Sequence, residues 1–268
     1  MRIKIASHSG FCFGVKRAIN IAEKTLNNSK DIDTIYSLGS IIHNPQVVES
    51  LSKKGLKVIK DIADVKKGAV IISSHGAPIE VIRKINKKRL DLIDATCPFV
   101  KNAHNIVKEL KASGYKIVII GDKKHPEVKA LLSLAGKKTE SNKIAVISQT
   151  TQSKDNYLKA VVELLNKDFK ELRIFNTICN DTAERQALTR KLLKDCDVMI
   201  VVGGKNSANT RRLWQICKES GVDSYHIETQ DELKRAYFKG KTCAGVVSGA
   251  STPDSMVKKV VEKIKKLS

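Results

Sequence analysis

Three cysteines recur at nearly equal intervals: Cys12, Cys97 and Cys179 lie 85 and 82 residues apart. Each follows a short apolar run and precedes a helix pattern. The runs are Arg2 to Ala6, Leu90 to Ile93 and Leu172 to Phe175, and the helix patterns begin at Val15, just after Cys97, and at Thr182. Three equivalent thiolates with no obvious fourth suit a metal site that keeps one position open. Zinc with three Cys and a water satisfies that description. So does an iron–sulfur cluster with three ligated irons and one open iron, and thiolate softness does not choose between them. Cys196, Cys217 and Cys243 lack the equivalence: two adjoin apolar strands, one lies on a helix, and all three read as structural.

A second set falls in strand-end loops and first helical turns: His43, His75, His125, Thr150, Ser207, Asn209 and Ser251. These are neutral or cationic donors. With backbone N–H groups at several helix starts they describe an anion site, most simply for phosphate or diphosphate. Glu127 is the one carboxylate at a repeat position in this set. At a helix start it contributes about 0.3–1 kcal/mol as a favourable charge, whereas a positioned acid is worth roughly 10²–10⁴-fold in rate. His8, His104 and His226 have no repeat partner, and mid-helix His104 reads as structural. The chain has no G-x-G-x-x-G, Walker A or Ser-His-Asp pattern.

The elements that must carry these residues also repeat. Glycines end three apolar runs at Gly39, Gly121 and Gly203, 82 residues apart in both intervals, and His43, His125 and Ser207 each lie four residues further on. A third strand, loop and helix start recurs at Gly68–Pro78, Lys143–Thr151 and Thr242–Pro253, with Pro78 and Pro253 suited to a first helical turn. The first and third copies add a strand and short helix, Leu56 to Val65 and Ser224 to Phe238. The second copy is shortened there. Short β-branched strands alternating with helices predict α/β architecture with parallel sheet. The expectation is three Rossmann-like αβα domains about a pseudo-threefold axis, spanning 13–96, 97–178 and 179–268, the last completed by 1–12. Ligands in such sheets bind beyond the carboxyl ends of the strands, where all the polar loops above lie.

The net charge is +21, from 49 basic against 28 acidic residues, and aromatics make up 4% of the chain. So few aromatics supply little base stacking, and the lysines are spread over polar faces, so no specific nucleic-acid partner is expected. A positive field draws an anionic substrate or an acidic redox partner. No apolar run reaches the roughly 18–20 residues of a membrane span, and Met1 to Ile5 reads as a strand rather than a leader. A soluble, cytoplasmic protein is expected.

In chain order the motifs are G-F-C-F-G-V at Gly10, H-N-P-Q-V-V at His43, S-H-G at Ser74, D-A-T-C-P at Asp94 and H-P-E-V at His125. S-Q-T-T at Ser148, T-I-C-N at Thr177, K-N-S-A-N at Lys205 and G-A-S-T-P-D at Gly249 follow. Taken together and in this order, they resemble the 4-hydroxy-3-methylbut-2-enyl diphosphate reductase family along essentially the whole chain. The resemblance implies a trefoil of three domains around a [4Fe-4S] cluster held by Cys12, Cys97 and Cys179, with one iron open. It implies reductive dehydroxylation of an allylic diphosphate to isopentenyl and dimethylallyl diphosphate. His43, His75, His125, Ser207, Asn209 and Ser251 would hold the diphosphate, Glu127 and Thr150 would serve proton transfer, and ferredoxin or flavodoxin would give electrons. Many members have Ser-Ser-Asn where this chain has Ser207-Ala208-Asn209, so one side-chain contact is absent. The residues alone leave a zinc-dependent hydrolase of a phosphorylated small molecule as the alternative, and a basic nucleic-acid-binding protein with a structural metal as the non-enzyme reading.

Overall fold

Short runs of Val, Ile and Ala form strands, and periodic apolar stripes form the helices between them. A computed structural model describes residues 1–28, 34–137 and 140–268. Asp33, where the run that ends in Gly39 is expected to begin as a strand, lies outside the described residues. In chain order the elements are β1 (Arg2–Ile5), α1 (Phe13–Asn27), β2 (Ile35–Leu38), α2 (Pro45–Lys53), β3 (Leu56–Ile59), β4 (Ala69–Ile72), α3 (Ile79–Lys87), β5 (Asp91–Asp94) and α4 (Pro98–Ala112). They continue as β6 (Lys116–Ile120), α5 (Pro126–Ala135), β7 (Lys143–Ser148), α6 (Lys154–Leu165), β8 (Glu171–Phe175) and α7 (Asn180–Leu192). The last are β9 (Val198–Val202), α8 (Ala208–Glu219), β10 (Asp223–Ile227), β11 (Cys243–Ser248) and α9 (Asp254–Leu267). Among the described residues no helix is long and apolar enough to cross a membrane.

The chain divides into two compact units. One comprises Met1–Cys12, His43–Pro45 and Cys179–Ser268; the other comprises Phe13–Ile42 and Gln46–Ile178. The first unit holds a parallel sheet in the order β1-β11-β9-β10. Side-chain alternation along its strands fills two cores. Val198, Ile200, Val202, Ala244 and Val246 pack with Val257, Val260 and Ile264 of α9. Met199, Val201 and Val247 pack with Leu213 and Cys217 of α8, with Leu188 and Leu192 of α7 alongside. Each fully buried Val, Ile or Leu contributes about 1.5–3 kcal/mol.

The second unit holds two parallel sheets, β3-β2-β4-β5 and β6-β7-β8. In the latter, Ala145 and Ile147 face Ala103, Val107 and Leu131, while Ile144 and Val146 face Tyr157, Val161 and Leu164. Helices thus cover both faces, as parallel strands buried on both sides require.

Two local expectations need correction. The short helix expected before Val65 does not form; the segment after β3 is a turn. Asp61 accepts from the Ala63 N–H, and the Lys88 Nζ donates to the carbonyls of Ile62, Ala63 and Val65 at 3.0, 2.6 and 2.9 Å. The Ile62 carbonyl also accepts the Val65 N–H at 3.2 Å, an i→i+3 turn bond. In the other copy the corresponding helix is two 3-10 turns, Gln230–Glu232 and Arg235–Phe238. Pro78 and Pro253 sit one position earlier than the first turn, as N-cap residues in extended backbone.

Candidate active site

The three cysteine corners are built alike. Cys97 is the N-cap of α4, followed by Pro98 in the first turn, and Cys179 is the N-cap of α7; neither side chain makes a capping hydrogen bond. Cys12 directly precedes α1, and its N–H donates to the Ala250 carbonyl at 3.0 Å. At Cys97, burial pushes the thiol up, opposed by the backbone N–H groups of Phe99 and Val100 directed at the sulfur. The corner is tied down by Cys97 N–H to the Ser74 carbonyl at 3.0 Å and by Arg17 Nη1 to the Thr96 carbonyl at 3.0 Å. All three corner cysteines are partly exposed, whereas Cys196, Cys217 and Cys243 are buried. Partly exposed thiols at helix starts, with amide N–H groups available to a thiolate, fit a soft metal or an iron–sulfur cluster. Cys217 is pushed up to about 12 by burial, so it persists as a neutral core thiol.

Within the second unit, His75, Cys97, His125, Glu127 and Thr150 lie on neighbouring strand ends. His125 is the N-cap of α5, and its Nδ1 accepts the Glu127 N–H at 3.2 Å. A neutral ring accepting at Nδ1 carries its proton at Nε2, so His125 presents a donor there. The His75 ring meets the His125 ring edge-on, with centroids 5.2 Å apart. Glu127 is 1% exposed. Its Oε1 accepts the Thr150 N–H at 2.6 Å, and its Oε2 accepts the Thr150 hydroxyl at 2.9 Å. Burial pushes the carboxyl up to about 7, against these two hydrogen bonds, which lower it. A carboxyl poised there exchanges a proton at neutral pH, as general acid–base work demands.

The first unit carries Cys12, His43, Cys179, Ser207, Asn209 and Ser251. Ser207 caps α8, its hydroxyl accepting from the Thr210 N–H. Asn209, 4% exposed, has neither its amide nitrogen nor its amide oxygen hydrogen-bonded among the described residues. Burying an amide without partners costs about 1–3 kcal/mol, a cost that a polar ligand offsets. Ser251 donates its hydroxyl to the His43 carbonyl at 3.0 Å, and Asn44 Nδ2 donates to the Ser251 carbonyl at 2.8 Å. Gly204 admits this segment: a Cβ there would lie 2.5 Å from the His43 carbonyl oxygen. Burial, then the Arg211 charge, lowers the His43 pKa and favours the neutral ring. Ala208 opens α8, so its backbone N–H is one of the donors a first helical turn leaves unsatisfied.

The remaining histidines hold structure. Burial lowers His104 to about 4; its ring lies under Gly76, where a Cβ would come within 2.7 Å of its Cε1. His8 pairs with Asp181 at 2.6 Å, and His226 Nε2 lies 2.9 Å from the Gly203 carbonyl. Sequence reasoning gave no role to Asn44 or Arg185. Asn44 stands inside the H-N-P-Q-V-V motif, and that position was the available signal.

The LytB protein family matches residues 3–265. The chain is similar to the 4-hydroxy-3-methylbut-2-enyl diphosphate reductase of Syntrophotalea carbinolica, 42% identical over 282 residues and covering 100% of both chains. To that of Caldanaerobacter subterraneus subsp. tengcongensis it is 45% identical over 283 residues, covering 100% of this chain and 98% of the relative. A solved (E)-4-hydroxy-3-methyl-but-2-enyl diphosphate reductase, the terminal enzyme of the non-mevalonate pathway, matches with TM-score 0.69 and 42% identity over 99% of this chain and 100% of that one. The reductase structure from Plasmodium falciparum matches with TM-score 0.90 and 30% identity, over 97% of this chain and 87% of that one. These relatives are reductases and lend no support to the zinc-hydrolase alternative. With a match over nearly every residue and such relatives along its full length, this chain belongs to the LytB protein family.

Proposed function

We propose that this chain is a cytoplasmic 4-hydroxy-3-methylbut-2-enyl diphosphate reductase. The reaction adds two electrons and two protons to (E)-4-hydroxy-3-methylbut-2-enyl diphosphate, breaks the bond from C4 to its hydroxyl oxygen, and releases water with isopentenyl or dimethylallyl diphosphate. The observation that carries the reading is the buried Glu127 carboxyl, raised to about 7 and held by both donors of Thr150. Three separate parallel sheets support three αβα domains with boundaries at the three cysteines.

Cys12, Cys97 and Cys179 would hold a [4Fe-4S] cluster, which supplies the electron path and, at its open iron, Lewis acidity. His43, His75, His125, Ser207, Asn209 and Ser251 bind the diphosphate. The Ala208 backbone N–H remains for the contact that a serine hydroxyl makes in other members. Glu127 holds the proton that leaves with the hydroxyl. Thr150 bridges the step, since its hydroxyl donates to a carboxylate and accepts from a carboxylic acid. Acidic ferredoxin or flavodoxin suits a donor surface on a chain of net charge +21.

Anaerobically purified protein is expected to be brown, to carry about four irons with matching sulfide, and to convert the substrate to both products with a reduced viologen dye. Colourless protein with stoichiometric zinc would overturn the reading. Asn209→Ala removes a buried donor and acceptor together; KM for the diphosphate is expected to rise about tenfold, the equivalent of ~1.4 kcal/mol, with the iron content unchanged. An unaltered KM would remove Asn209 from the binding set.

A further inference from the structure

Helix α7 buries polar side chains: Thr182, Arg185, Gln186 and Thr189 are its buried residues. Arg185 is 3% exposed and uses all five of its N–H donors. Nε donates to Asp181 Oδ2 at 2.8 Å; Nη1 donates to the carbonyls of His8 and Ser248 at 3.1 and 3.0 Å; Nη2 donates to the Gly10 carbonyl at 2.8 Å and to Asp181 Oδ1 at 3.4 Å. Asp181 in turn meets His8 Nε2 at 2.6 Å.

The acceptors belong to three separate chain segments of one unit, and each segment leads within three residues to a site residue. Gly10 is two residues before Cys12, Ser248 three before Ser251, and Asp181 two after Cys179. The segments are also tied to one another, by Gly10 N–H to the Ser248 hydroxyl at 3.3 Å and Cys12 N–H to the Ala250 carbonyl at 3.0 Å. Gly10 itself has φ +80°, and a Cβ there would lie 2.2 Å from Asp254 Oδ1, so the backbone is held in a conformation that only glycine adopts without strain.

We propose that Arg185 is a positioning residue: its planar, five-donor guanidinium sets where the Cys12 and Cys179 sulfurs and the Ser251 loop stand, without itself touching substrate. A point charge does not substitute. Lysine offers three donors on one nitrogen and cannot reach the carbonyls of His8, Gly10 and Ser248 and both carboxylate oxygens together. The inference rests on the reading of Cys12 and Cys179 as metal ligands.

The test is Arg185→Lys in the full chain, purified anaerobically and compared with wild type. Far-UV circular dichroism is expected to match wild type. Iron release to a strong chelator is expected to be at least about tenfold faster, with an altered electron paramagnetic resonance spectrum of the reduced protein. On metal-free protein, maleimide alkylation at Cys12 and Cys179 is expected to change at least about threefold relative to Cys97, which lies outside this network and is the internal control. Wild-type iron retention with unchanged alkylation ratios overturns the proposal, and so does an equal change at all three thiols, which reports general loosening. If wild-type protein holds no iron, the ligand reading fails and the alkylation ratio alone decides on Arg185. Asp181→Asn leaves the three carbonyl acceptors of Arg185 in place, while it removes the carboxylate charge and one of the two oxygens that meet Arg185 and His8. It is read in the same way, with smaller changes in the same direction, and decides the matter if the lysine variant does not fold.

Discussion

Replacing Glu127 by Gln is expected to lower turnover about 10²–10⁴-fold while leaving the fold, the iron content and diphosphate binding intact. Glutamine fits the site: its oxygen accepts the Thr150 N–H, and its amide donates to the Thr150 hydroxyl, which reverses its role. Only the exchangeable carboxyl proton is lost, so kcat should fall with little change in KM. Near-normal turnover would take Glu127 out of the proton path. The same variant has a second, independent readout. Burial raises Glu127 from 4.5 to about 7, so the folded state keeps a proton that the unfolded chain releases. Below pH about 4.5 both states are protonated and the group is neutral to stability. Between about 4.5 and 7 the unfolded chain ionises first and stability falls as pH rises. Above 7 the full penalty stands, on the order of 3 kcal/mol for a shift of this size. Glutamine carries no such penalty. Its stability relative to wild type, measured by urea unfolding of the metal-free proteins, is therefore expected to improve from pH 5 to pH 8. A difference that does not move with pH would mean that Glu127 is already ionised in the folded protein.

The parts of the site that were legible in the sequence are those that repeat. The Cys12, Cys97 and Cys179 corners, and the loops four residues after Gly39, Gly121 and Gly203, announce themselves by spacing, and each follows a strand. The parts that were not legible depend on residues remote in the chain. The turn after β3 is held by Lys88, on the far side of β4 and α3 in the chain, whose ammonium donates to three of its carbonyls. Helix α7 has no apolar stripe, and its Thr182, Arg185, Gln186 and Thr189 face would pass for a solvated one. It is buried because carbonyls of the His8–Gly10 and Ser248 segments satisfy the guanidinium. Cys196 and Cys243 show no relation in sequence, yet their sulfurs lie 3.2 Å apart where β9 and β11 begin. Local pattern reports the element and the exposed end of it. Satisfaction of buried polar groups, which is a long-range matter, decides the details that hold the site.

Cys97→Ser separates the metal role of a corner from its structural one, because the two predict opposite signs. As a helix start, serine is the better residue: Cys97 makes no capping hydrogen bond, whereas a serine hydroxyl at an N-cap accepts from the first-turn N–H groups and adds about 0.5–2 kcal/mol over a non-capping residue. The metal-free variant should therefore unfold at the same or a higher urea concentration than metal-free wild type. As an iron ligand, serine is far poorer, since its hydroxyl stays protonated at neutral pH and offers a hard oxygen in place of a soft thiolate. The variant is expected to be nearly colourless, to hold well under one of the about four irons expected of wild type, and to lose turnover by about 10³-fold or more. The control is Cys217→Ser, at a fully buried position packed among Met199, Val201 and Leu213. There the hydroxyl has no use, stability should drop by about 1–3 kcal/mol, and the colour should remain. Brown Cys97→Ser protein with undiminished iron would remove the corner from the ligand set whatever its activity. Colour lost from both variants alike would point to the fold as the cause and leave no special role for the corner.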